Sequence, residues 1–534
     1  MSRAGQWVLL LAVTALAGFF RLHRLDAIPP GLFGDEAADA LPAVAIERGE
    51  ALPVYIEEPI KWTSREPMYH YMMAAVFALF GPTVTTLRLT SALIGIATVA
   101  LFFWLCRAYF GAHFALFAAA LLACCRWHVT ASRIGLRAVL VPLWIVLTLL
   151  ALTAVRRTQG WRAALALGAV IGAGLYTYPA YWIVPPALAL LVAVGVAGRG
   201  RAQVIQALRL GGVVALAALV TAAPLILYAI DKPDYFFARA ERTAMAEGQA
   251  SEPFSLSDNL QRVLFMLHLR GDENPRHNIP GRPLLDPLMG IFFAVGLWHL
   301  ARSRPSDRNH VLVSTALLAF WLLPLLPSAL TDSAPHALRV LGAVPAVCVI
   351  AACGLDRLAG WFPSRGRAPA AKQVVALAAL AAIALLNYRD YFHEWGPSRV
   401  VENAFNTDTS RFFDHLATLA RRGDLYLSSY LYDAPQVRFL NLQRHLPLRH
   451  LDEAALISAG RGRARILVSD SPGLNALITE LYPQAQVIGR YAVYGSSSGR
   501  IFYLQHRFLR PNLPPGYPAA IHHLIAGERA QEKS

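Results

Sequence analysis

The sequence of 534 residues predicts a mainly α-helical protein that crosses a membrane many times and ends in a small α/β domain. Hydrophobic residues make up 56% of the chain and charged residues only 16%, and the mean hydropathy is +0.41. Soluble domains carry about 25% charged residues, so this composition excludes an ordinary cytosolic enzyme and a disordered chain. Apolar runs long enough to cross about 30 Å of hydrocarbon recur up to residue 390, and a pattern that includes strands follows them.

Eleven apolar runs have the length of membrane-spanning helices. They lie near residues 5–22, 84–106, 112–128, 137–155, 162–178, 181–198, 210–230, 286–301, 310–330, 337–354 and 373–388. The first run resembles a signal-peptide core but lacks a small-x-small cleavage site before Arg21, which indicates a retained helix. A twelfth run, Met68–Phe80, has only 13 residues and includes His70, so it crosses the membrane, dips into it and returns, or lies in the interface. The sequence therefore predicts about 11–13 spans.

Basic residues between the runs determine the orientation that we expect. They fall on alternate loops, at Arg107, Arg156, Arg157, Arg162, Arg199, Arg201, Arg209, Arg302, Arg304, Arg308, Arg357, Arg365, Arg367 and Lys372. Because such loops face the cytoplasm, residues 231–285 and the C-terminal part are expected outside the plasma (inner) membrane. Loop 23–66 is also expected outside if Met68–Phe80 does not cross the membrane. If that segment crosses, the loop lies in the cytoplasm, an alternative that Arg21 and Arg24 favour. The net charge of +15 thus reflects topology, and no nucleic-acid partner is expected.

Two domains are predicted: a transmembrane domain, residues 1–390, with outer loops 23–66 and 231–285, and an extracytoplasmic α/β domain, residues 391–534. The second domain is expected to contain helices at Arg411–Arg422 and Asn475–Tyr482, and strands at Asp424–Ser429, Ala464–Ser469, Val487–Val493 and Arg500–Gln505. The chain contains no G-x-x-x-x-G-K and no H-E-x-x-H, which argues against an ATPase and a zinc protease. The five cysteines lie in apolar runs without metal-site spacing, so no metal or other cofactor is predicted.

The outer loop that follows the first run carries the most informative acids. Pro29, Pro30 and Gly31 stop the chain, and Gly34-Asp35-Glu36 then begins a predicted helix whose N-terminal dipole stabilises carboxylates. Neighbouring helical residues point about 100° apart, so Asp35 and Glu36 cannot share one role, whereas Asp35 and Asp39 share a face. The alternative is a solvated helix start without a catalytic function.

Three further stretches gather charge at the outer boundary. Arg65, Glu66 and His70 cluster where the chain re-enters the membrane, which is more than an interfacial anchor needs. Arg126, Arg133 and Arg137 recur at spacings of seven and four, which predicts one helical face for an anionic ligand, with snorkelling as the alternative. A third stretch places His336 and Arg339 at the start of a span, where a lone cation is usually functional.

Two other features have simpler interpretations. The polar, turn-rich stretch Gly271–Asn278 is expected to be a structured loop rather than a catalytic one. Tyr176, Tyr178, Tyr181 and Trp182 form an aromatic girdle at the outer interface, although tyrosines there can also stack on a sugar.

Together these motifs resemble the GT-C glycosyltransferases, and within them the protein O-mannosyltransferases and the lipid A aminoarabinose transferase. The resemblance covers about residues 5–390 and rests on Gly34-Asp35-Glu36, Arg65-Glu66-Pro67, the arginine-rich outer loop and Pro335-His336-x-x-Arg339. The motif after the first helix is its most specific part. Where the family commonly has His-Pro-Pro, this chain has Glu66-Pro67.

The resemblance implies a bundle of GT-C type with an outward-facing active site. It implies catalytic roles for Asp35, Glu36 and Glu66. The residues expected to bind the donor phosphate are Arg65, Arg133, Arg137, His336 and Arg339. The residues expected to line the substrate site are Tyr69, His70, Tyr176 and Tyr178.

In the implied reaction a polyprenyl-phosphate sugar is attacked at its anomeric carbon by a protein, lipid or glycan hydroxyl, with inversion, while Asp35 accepts the proton. A lipid-linked donor also accounts for the missing nucleotide-binding loop. The competing hypothesis is a secondary transporter or flippase for a lipid-linked or free sugar. It predicts charges deep within the spans, whereas the charges of this chain gather at the outer rim.

Overall fold

Helices dominate the computed structural model, which describes residues 3–59, 63–238, 255–303, 308–331, 333–360, 368–451, 456, 465–469, 472–493 and 496–504. Asp332, part of the outer loop 231–285 and the end of the predicted domain 391–534 lie outside these ranges.

The N-terminal helices are α1 (Arg3–Leu22), α2 (Gly34–Glu47), α3 (Met68–Phe80), α4 (Val84–Phe110), α5 (Ala112–Cys124), α6 (Arg126–Ala131), α7 (Leu140–Thr158), α8 (Trp161–Gly174), α9 (Val184–Val196), α10 (Arg201–Asp231) and α11 (Pro233–Phe236). Next come α12 (Leu256–Phe265), α13 (Pro287–Arg302), α14 (Arg308–Leu322), α15 (Leu326–Ala329), α16 (Val344–Gly360) and α17 (Ala368–Tyr388), which a π-helical turn extends (Arg389–Trp395). Short 3-10 turns lie at Arg137–Val139, Pro179–Ile183, Leu323–Leu325 and Leu341–Ala343.

These helices confirm a multi-pass membrane protein. In the described part of the chain, eight helical segments are long and apolar enough to span a bilayer, and four apolar helices are shorter. The described basic loops contact one another. Arg157 donates to the Ala108 carbonyl at the end of α4, Arg156 donates to Asn309 at the start of α14, and Arg308 donates to the Gly198 carbonyl after α9. These basic loops therefore lie together at one end of the bundle, as the alternation of charge predicts.

The short helix α3 stays at the end of the bundle opposite the basic loops. Its first turn is fixed there by a bond from the Met68 amide to the Tyr176 carbonyl, 3.1 Å, and by His70. Near its far end, the ring of Phe77 lies 6.1 Å from that of Phe439 in the C-terminal domain. Both ends of α3 thus face the same side. Loop 23–66, α3 and the C-terminal domain therefore lie together, which answers the question that the sequence left open.

Close helix packing depends on small residues in the middle of the bundle. A Cβ at Gly296 of α13 would collide with the Ile350 carbonyl of α16, and a Cβ at Gly354 with the Phe292 carbonyl. The two backbones therefore approach more closely than larger side chains allow, as is common between membrane helices.

The C-terminal region forms an α/β domain, as the sequence predicts. Its helices are α18 (Arg399–Ala404), α19 (Thr407–Leu419), α20 (Ser429–Asp433), α21 (Pro435–Arg444) and α22 (Pro472–Leu481). Its strands are β1 (Asp424–Leu427), β2 (Leu448–His450), β3 (Arg465–Ser469), β4 (Gln486–Val493) and β5 (Ser496–Leu504), in the order β2-β1-β3-β5-β4. Strand β1 is parallel to β2 and β3, whereas β5 is antiparallel to β3 and β4.

Successive side chains of the central strands point to opposite faces of the sheet, and both faces are buried. Leu425 and Leu427 pack on one face, with the apolar side of α19, whereas Tyr426 and Leu467 pack on the other, with α22. This period of two is the strand pattern detected in the sequence. The sequence did not predict β2, α18, α20 or α21.

The C-terminal domain rests on the loop that carries the candidate acids. Gly31 has φ of +69°, and a Cβ there would collide with the Phe405 carbonyl. A Cβ at Gly34 would lie 2.9 Å from the amide nitrogen of Gln436, on α21. The start of α2 is therefore held between the membrane bundle and the outer domain.

Candidate functional site

Asp35 presents the most accessible carboxylate at the start of α2. Its side chain is exposed in the first turn, where the helix dipole favours a negative charge. Among the described residues, no hydrogen bond or ion pair engages this carboxylate. Both of its oxygens are therefore available to a ligand.

Glu36, the next residue, points into the protein and is fully buried. The Arg88 guanidinium donates to both of its oxygens, each at 3.0 Å, and the Gly135 amide donates at 2.8 Å. Arg88 also donates to the carbonyls of Pro29 and Gly31. This set of bonds joins the first outer loop to α4 and to the segment after α6. It leaves Glu36 no access to a substrate in this conformation, despite the catalytic role that the resemblance implies.

Asp39, one turn further along α2, is the centre of a buried ionic network. Its carboxylate accepts from Arg65 at 2.5 Å and lies 3.2 Å from the His70 Nε2 and 3.5 Å from Arg137. Burial alone would raise the pKa of Asp39, but Arg65, His70 and Arg137 together hold it well below its usual value. Asp39 is thus ionised and paired with Arg65, His70 and Arg137. It therefore does not share the accessibility of Asp35, although the two residues lie on one helix face.

Glu66 extends this network to the point of re-entry. One of its oxygens lies 3.2 Å from the Arg137 Nε, an ion pair that lacks the alignment of a hydrogen bond. Glu58 lies 3.6 Å from Arg65, and burial raises the pKa of Glu58 while Arg65 opposes that rise. Arg65, Arg137 and Glu66, all predicted to contact substrate, therefore lie together, but they are largely buried and already paired.

The shared helical face predicted for three arginines is wrong. Helix α6 ends at Ala131, so Arg126, Arg133 and Arg137 do not lie on one helix. Arg126 donates to Asn278 and Pro283 instead. The spacing argument assumed a continuous helix, which the turn before Arg137 interrupts.

Arg133 is completely buried. It donates to the carbonyls of Phe20, His23, Arg24 and Ile28, and to the Tyr391 hydroxyl. These bonds use its guanidinium to hold the end of α1. The structure therefore gives no support to phosphate binding by Arg133.

The predicted lining tyrosines separate into two groups. Tyr69 is fully buried and its hydroxyl bonds to Ser91, so it belongs to the core. Tyr176 is half-buried and donates to the Thr221 carbonyl. Tyr178 is also half-buried, and the Arg137 guanidinium lies 5.7 Å from its ring centre. Of these, only Tyr178 borders the ionic network directly.

A second wall of the site comes from the loop that follows α12. The Arg276 guanidinium lies 4.1 Å from the ring centre of Phe33, two residues before Asp35. Burial lowers the pKa of Arg276, while the nearby charges of Asp35 and Asp272 oppose that change. Sequence reasoning missed Arg276 as a site residue, since the stretch looked like an ordinary polar loop. The signal available in the sequence was the adjacent pair Arg276-His277 within this loop.

Arg339 and His336 complete this wall. The Arg339 side chain is half-exposed and donates to the Ser333 hydroxyl at 3.0 Å. It lies in the turn before α16 rather than inside a helix, because α16 begins at Val344. The centres of the His336 and His277 rings lie 4.6 Å apart, with the two ring planes tilted by 35°.

Asp272, His277 and His336 are the residues that could hold a metal. Among the described residues, these three offer ligand atoms that all lie within 4.8 Å of one another. Sequence reasoning did not predict this cluster, because His336 lies about 60 residues beyond His277 along the chain.

A cavity lies at the opposite end of the bundle. It has a volume of about 610 Å³ and is lined by Tyr109, Arg156, His299 and His310, among others. From Arg88 to Tyr109, α4 covers roughly 32 Å at 1.5 Å per residue, so this cavity is remote from Asp35.

Comparison with known proteins identifies related folds. Residues 64–228 match the family model described as dolichyl-phosphate-mannose-protein mannosyltransferase. The sequence has no match among the curated proteins with which it was compared. The chain is similar to ArnT from Cupriavidus metallidurans bound to undecaprenyl phosphate, with a TM-score of 0.59 and 15% identity, over 94% of this chain and 98% of that one.

It is also similar to the oligosaccharyltransferase AglB from Archaeoglobus fulgidus, in complex with an inhibitory peptide and a dolichol-phosphate. There the TM-score is 0.52 and the identity 14%, over 96% of this chain and 75% of that one. At these identities the likeness establishes the fold, which is the one expected from the sequence resemblance.

Proposed function

We propose that this protein, which has the GT-C glycosyltransferase fold, transfers a sugar from a polyprenyl-phosphate donor to an acceptor hydroxyl, with Asp35 as the general base. The observation that carries the proposal is the difference between three acids on one helix. Glu36 and Asp39 are buried and paired with arginines, whereas Asp35 is exposed and unengaged among the described residues. A base must reach the proton that it removes, and of these three acids only Asp35 is exposed.

The donor phosphate is best accommodated by Arg276 and Arg339. Both side chains are half-exposed. The negative charge of Asp35 also acts to raise the pKa of Arg276, which indicates that the two groups are near each other. Arg65 and Arg137 are instead neutralised by Asp39 and its neighbours. A guanidinium with few hydrogen bonds to the protein can bind two phosphate oxygens in the bidentate geometry that arginine favours.

The buried ionic network has a positioning role in this proposal. Arg65, Glu66 and Arg137 fix the loop before α3 against α2, and so hold the helix that presents Asp35. Tyr178, at the edge of the network beside Arg137, would face the sugar. Glu36 positions the same helix from its other side, through Arg88.

The proposed reaction is a single displacement. The acceptor oxygen forms a bond to the anomeric carbon, and the bond between that carbon and the phosphate oxygen breaks. The departing polyprenyl phosphate keeps the electron pair, and Asp35 takes the acceptor proton. Arg276 and Arg339 would stabilise the charge that develops on the phosphate, which is usually a large part of the rate enhancement. Attack opposite the leaving group inverts the anomeric configuration.

Two observations support a lipid-linked donor. The fold neighbours were solved with undecaprenyl phosphate and with a dolichol-phosphate. The chain also places its charged site at the end of a long apolar bundle, where a polyprenyl tail can remain in the bilayer. The acceptor in our proposal is a protein, lipid or glycan hydroxyl.

The test is a transfer assay with purified protein in detergent, where there is no membrane to cross. We expect the sugar to move from a polyprenyl-phosphate sugar to an acceptor fraction from the cell envelope. A transporter or flippase would leave the donor intact in detergent and would move it across liposomes. That pair of results would overturn the proposal.

We also propose that the Asp35 end of the bundle faces outward from the plasma membrane, because the basic loops lie at the other end. Cysteines introduced singly at Glu273 and Arg157, with the native cysteines replaced, should behave differently on intact cells. An impermeant maleimide should label position 273 directly and position 157 only after permeabilisation. The opposite pattern would place the site in the cytoplasm and contradict the proposed orientation.

Replacing the two proposed phosphate ligands should weaken donor binding. Loss of a charge-assisted contact costs about 1.5–3 kcal/mol, so Arg276→Gln and Arg339→Gln should each reduce donor affinity roughly ten- to a hundredfold. Titration with a fluorescent polyprenyl phosphate provides the measurement. Arg270→Gln is a matched control, since this exposed arginine of the same loop pairs with Glu273. Equal affinities in all three variants would remove the arginines from the donor site.

A further inference from the structure

We propose that Asp272, His277 and His336 bind a divalent transition-metal ion, best matched by Zn²⁺, that fastens together the two outer segments bearing Arg276 and Arg339. The ion would act as a structural clamp beside the donor site. Zinc binding as such does not depend on the proposed transfer, but its effect on donor binding does.

The geometry of the three side chains carries the inference. Their ligand atoms all lie within 4.8 Å of one another, and the His277 Nδ1 is 3.0 Å from an Asp272 oxygen. Ligands at about 2.0–2.2 Å from a tetrahedral zinc lie roughly 3.3–3.5 Å apart. Each side chain therefore needs only a small movement to surround an ion. Three protein ligands would leave the fourth position to water or another ligand.

The ligand types select the ion. Two imidazoles and one carboxylate suit zinc and its neighbours in the first transition row, whereas calcium and magnesium prefer oxygen ligands only.

The cluster is also built into a rigid frame. Asp272 accepts hydrogen bonds from the amides of Asn274 and Ala337, each at 2.8 Å. The Asn278 side-chain amide donates to the carbonyls of Asp272 and Arg282. Bonds of this kind orient ligands around a metal before it arrives.

The position of the cluster indicates what the ion would do. His277 follows Arg276 directly, and His336 lies one turn before Arg339. The first pair belongs to the loop after α12 and the second to the turn before α16, so one ion would fix the separation of two proposed phosphate ligands. The ion would add to two contacts that already join these segments: the hydrogen bond from the Ala337 amide to Asp272 and the contact between the His277 and His336 rings.

The test measures metal content rather than transfer. Purified protein is stripped with a chelator, equilibrated with Zn²⁺ and assayed for bound zinc, and its thermal unfolding is followed with and without the ion. We expect one equivalent of zinc and a higher unfolding temperature in its presence. Since losing even an outer-shell partner of a metal costs about 10–100-fold in affinity, His336→Ala should lower zinc affinity at least tenfold. Asp272→Asn, which keeps the side chain's shape, should do the same.

His23→Ala serves as the matched control, because His23 is also half-buried at this end of the bundle and packs against Phe19. It should retain wild-type zinc binding. Absence of bound zinc in the wild-type protein would overturn the proposal and leave the cluster as a hydrogen-bonded link between loops. Equal binding by His336→Ala and wild type would place the ion elsewhere and overturn it too. Neither result bears on Asp35, whose role is decided by transfer alone.

Discussion

Asp35→Asn should lower the rate of sugar transfer by about 10²–10⁴, the usual contribution of general-base catalysis. Asparagine keeps the shape and the hydrogen-bonding reach of the side chain but cannot accept the acceptor's proton. Donor affinity should change much less, because Arg276, Arg339 and the apolar bundle supply it. The measurement is the transfer rate at saturating donor, beside a separate donor titration.

The control for this variant is Glu47→Gln, which removes an exposed acid from the other end of the same helix. It should transfer sugar at the wild-type rate. A wild-type rate in Asp35→Asn would exclude Asp35 as the base. A large loss of donor affinity in that variant, with an unchanged rate at saturation, would make Asp35 a binding residue instead.

Glu36→Gln should lower the free energy of unfolding by about 3–5 kcal/mol, the effect of breaking a buried ion pair and leaving one charge alone. The uncompensated charge would be that of Arg88, which is fully buried beside Phe405. Thermal unfolding in detergent provides the measurement. Any loss of transfer should then follow the loss of folded protein.

The comparison for Glu36 is Glu273→Gln, which breaks the exposed pair with Arg270. Exposed pairs contribute little, so its stability should stay near that of wild type. If Glu36→Gln unfolds like the wild-type protein and still fails to transfer sugar, Glu36 has a chemical role after all. That result would support the catalytic role that the family resemblance implies for Glu36.

The fold could be predicted because it depends on patterns along the chain. Run lengths predicted the long helices, and the alternation of basic loops predicted which ends lie together. Both patterns arise because the bilayer sets the length of each spanning helix and the side on which each basic loop lies, independently of contacts between distant residues. The hairpin of β4 and β5 was predictable for a similar reason, since its strands are neighbours in sequence.

The partners of the charged residues could not be predicted, because they pair across the fold. Glu36 and Arg88 lie 52 residues apart, and Arg133 bonds to carbonyls more than 100 residues away. Sequence reasoning identified Asp35, Glu36 and Arg137 as notable but could not tell an exposed acid from a buried one. Adjacent acids on a helix diverge by about 100°, and only the packing decides which of them faces the interior.

The contact of the C-terminal domain with the start of α2 has a consequence for biosynthesis. It joins Gly31 and Gly34 to Phe405 and Gln436, about 400 residues further along the chain. At roughly 5–20 residues per second, a ribosome needs about 20–80 s to make that stretch. Until then, the segment bearing the proposed base is held only by its contacts within the N-terminal part of the chain, such as the bonds between Glu36 and Arg88. The contact with the C-terminal domain is therefore among the last that this segment acquires during synthesis.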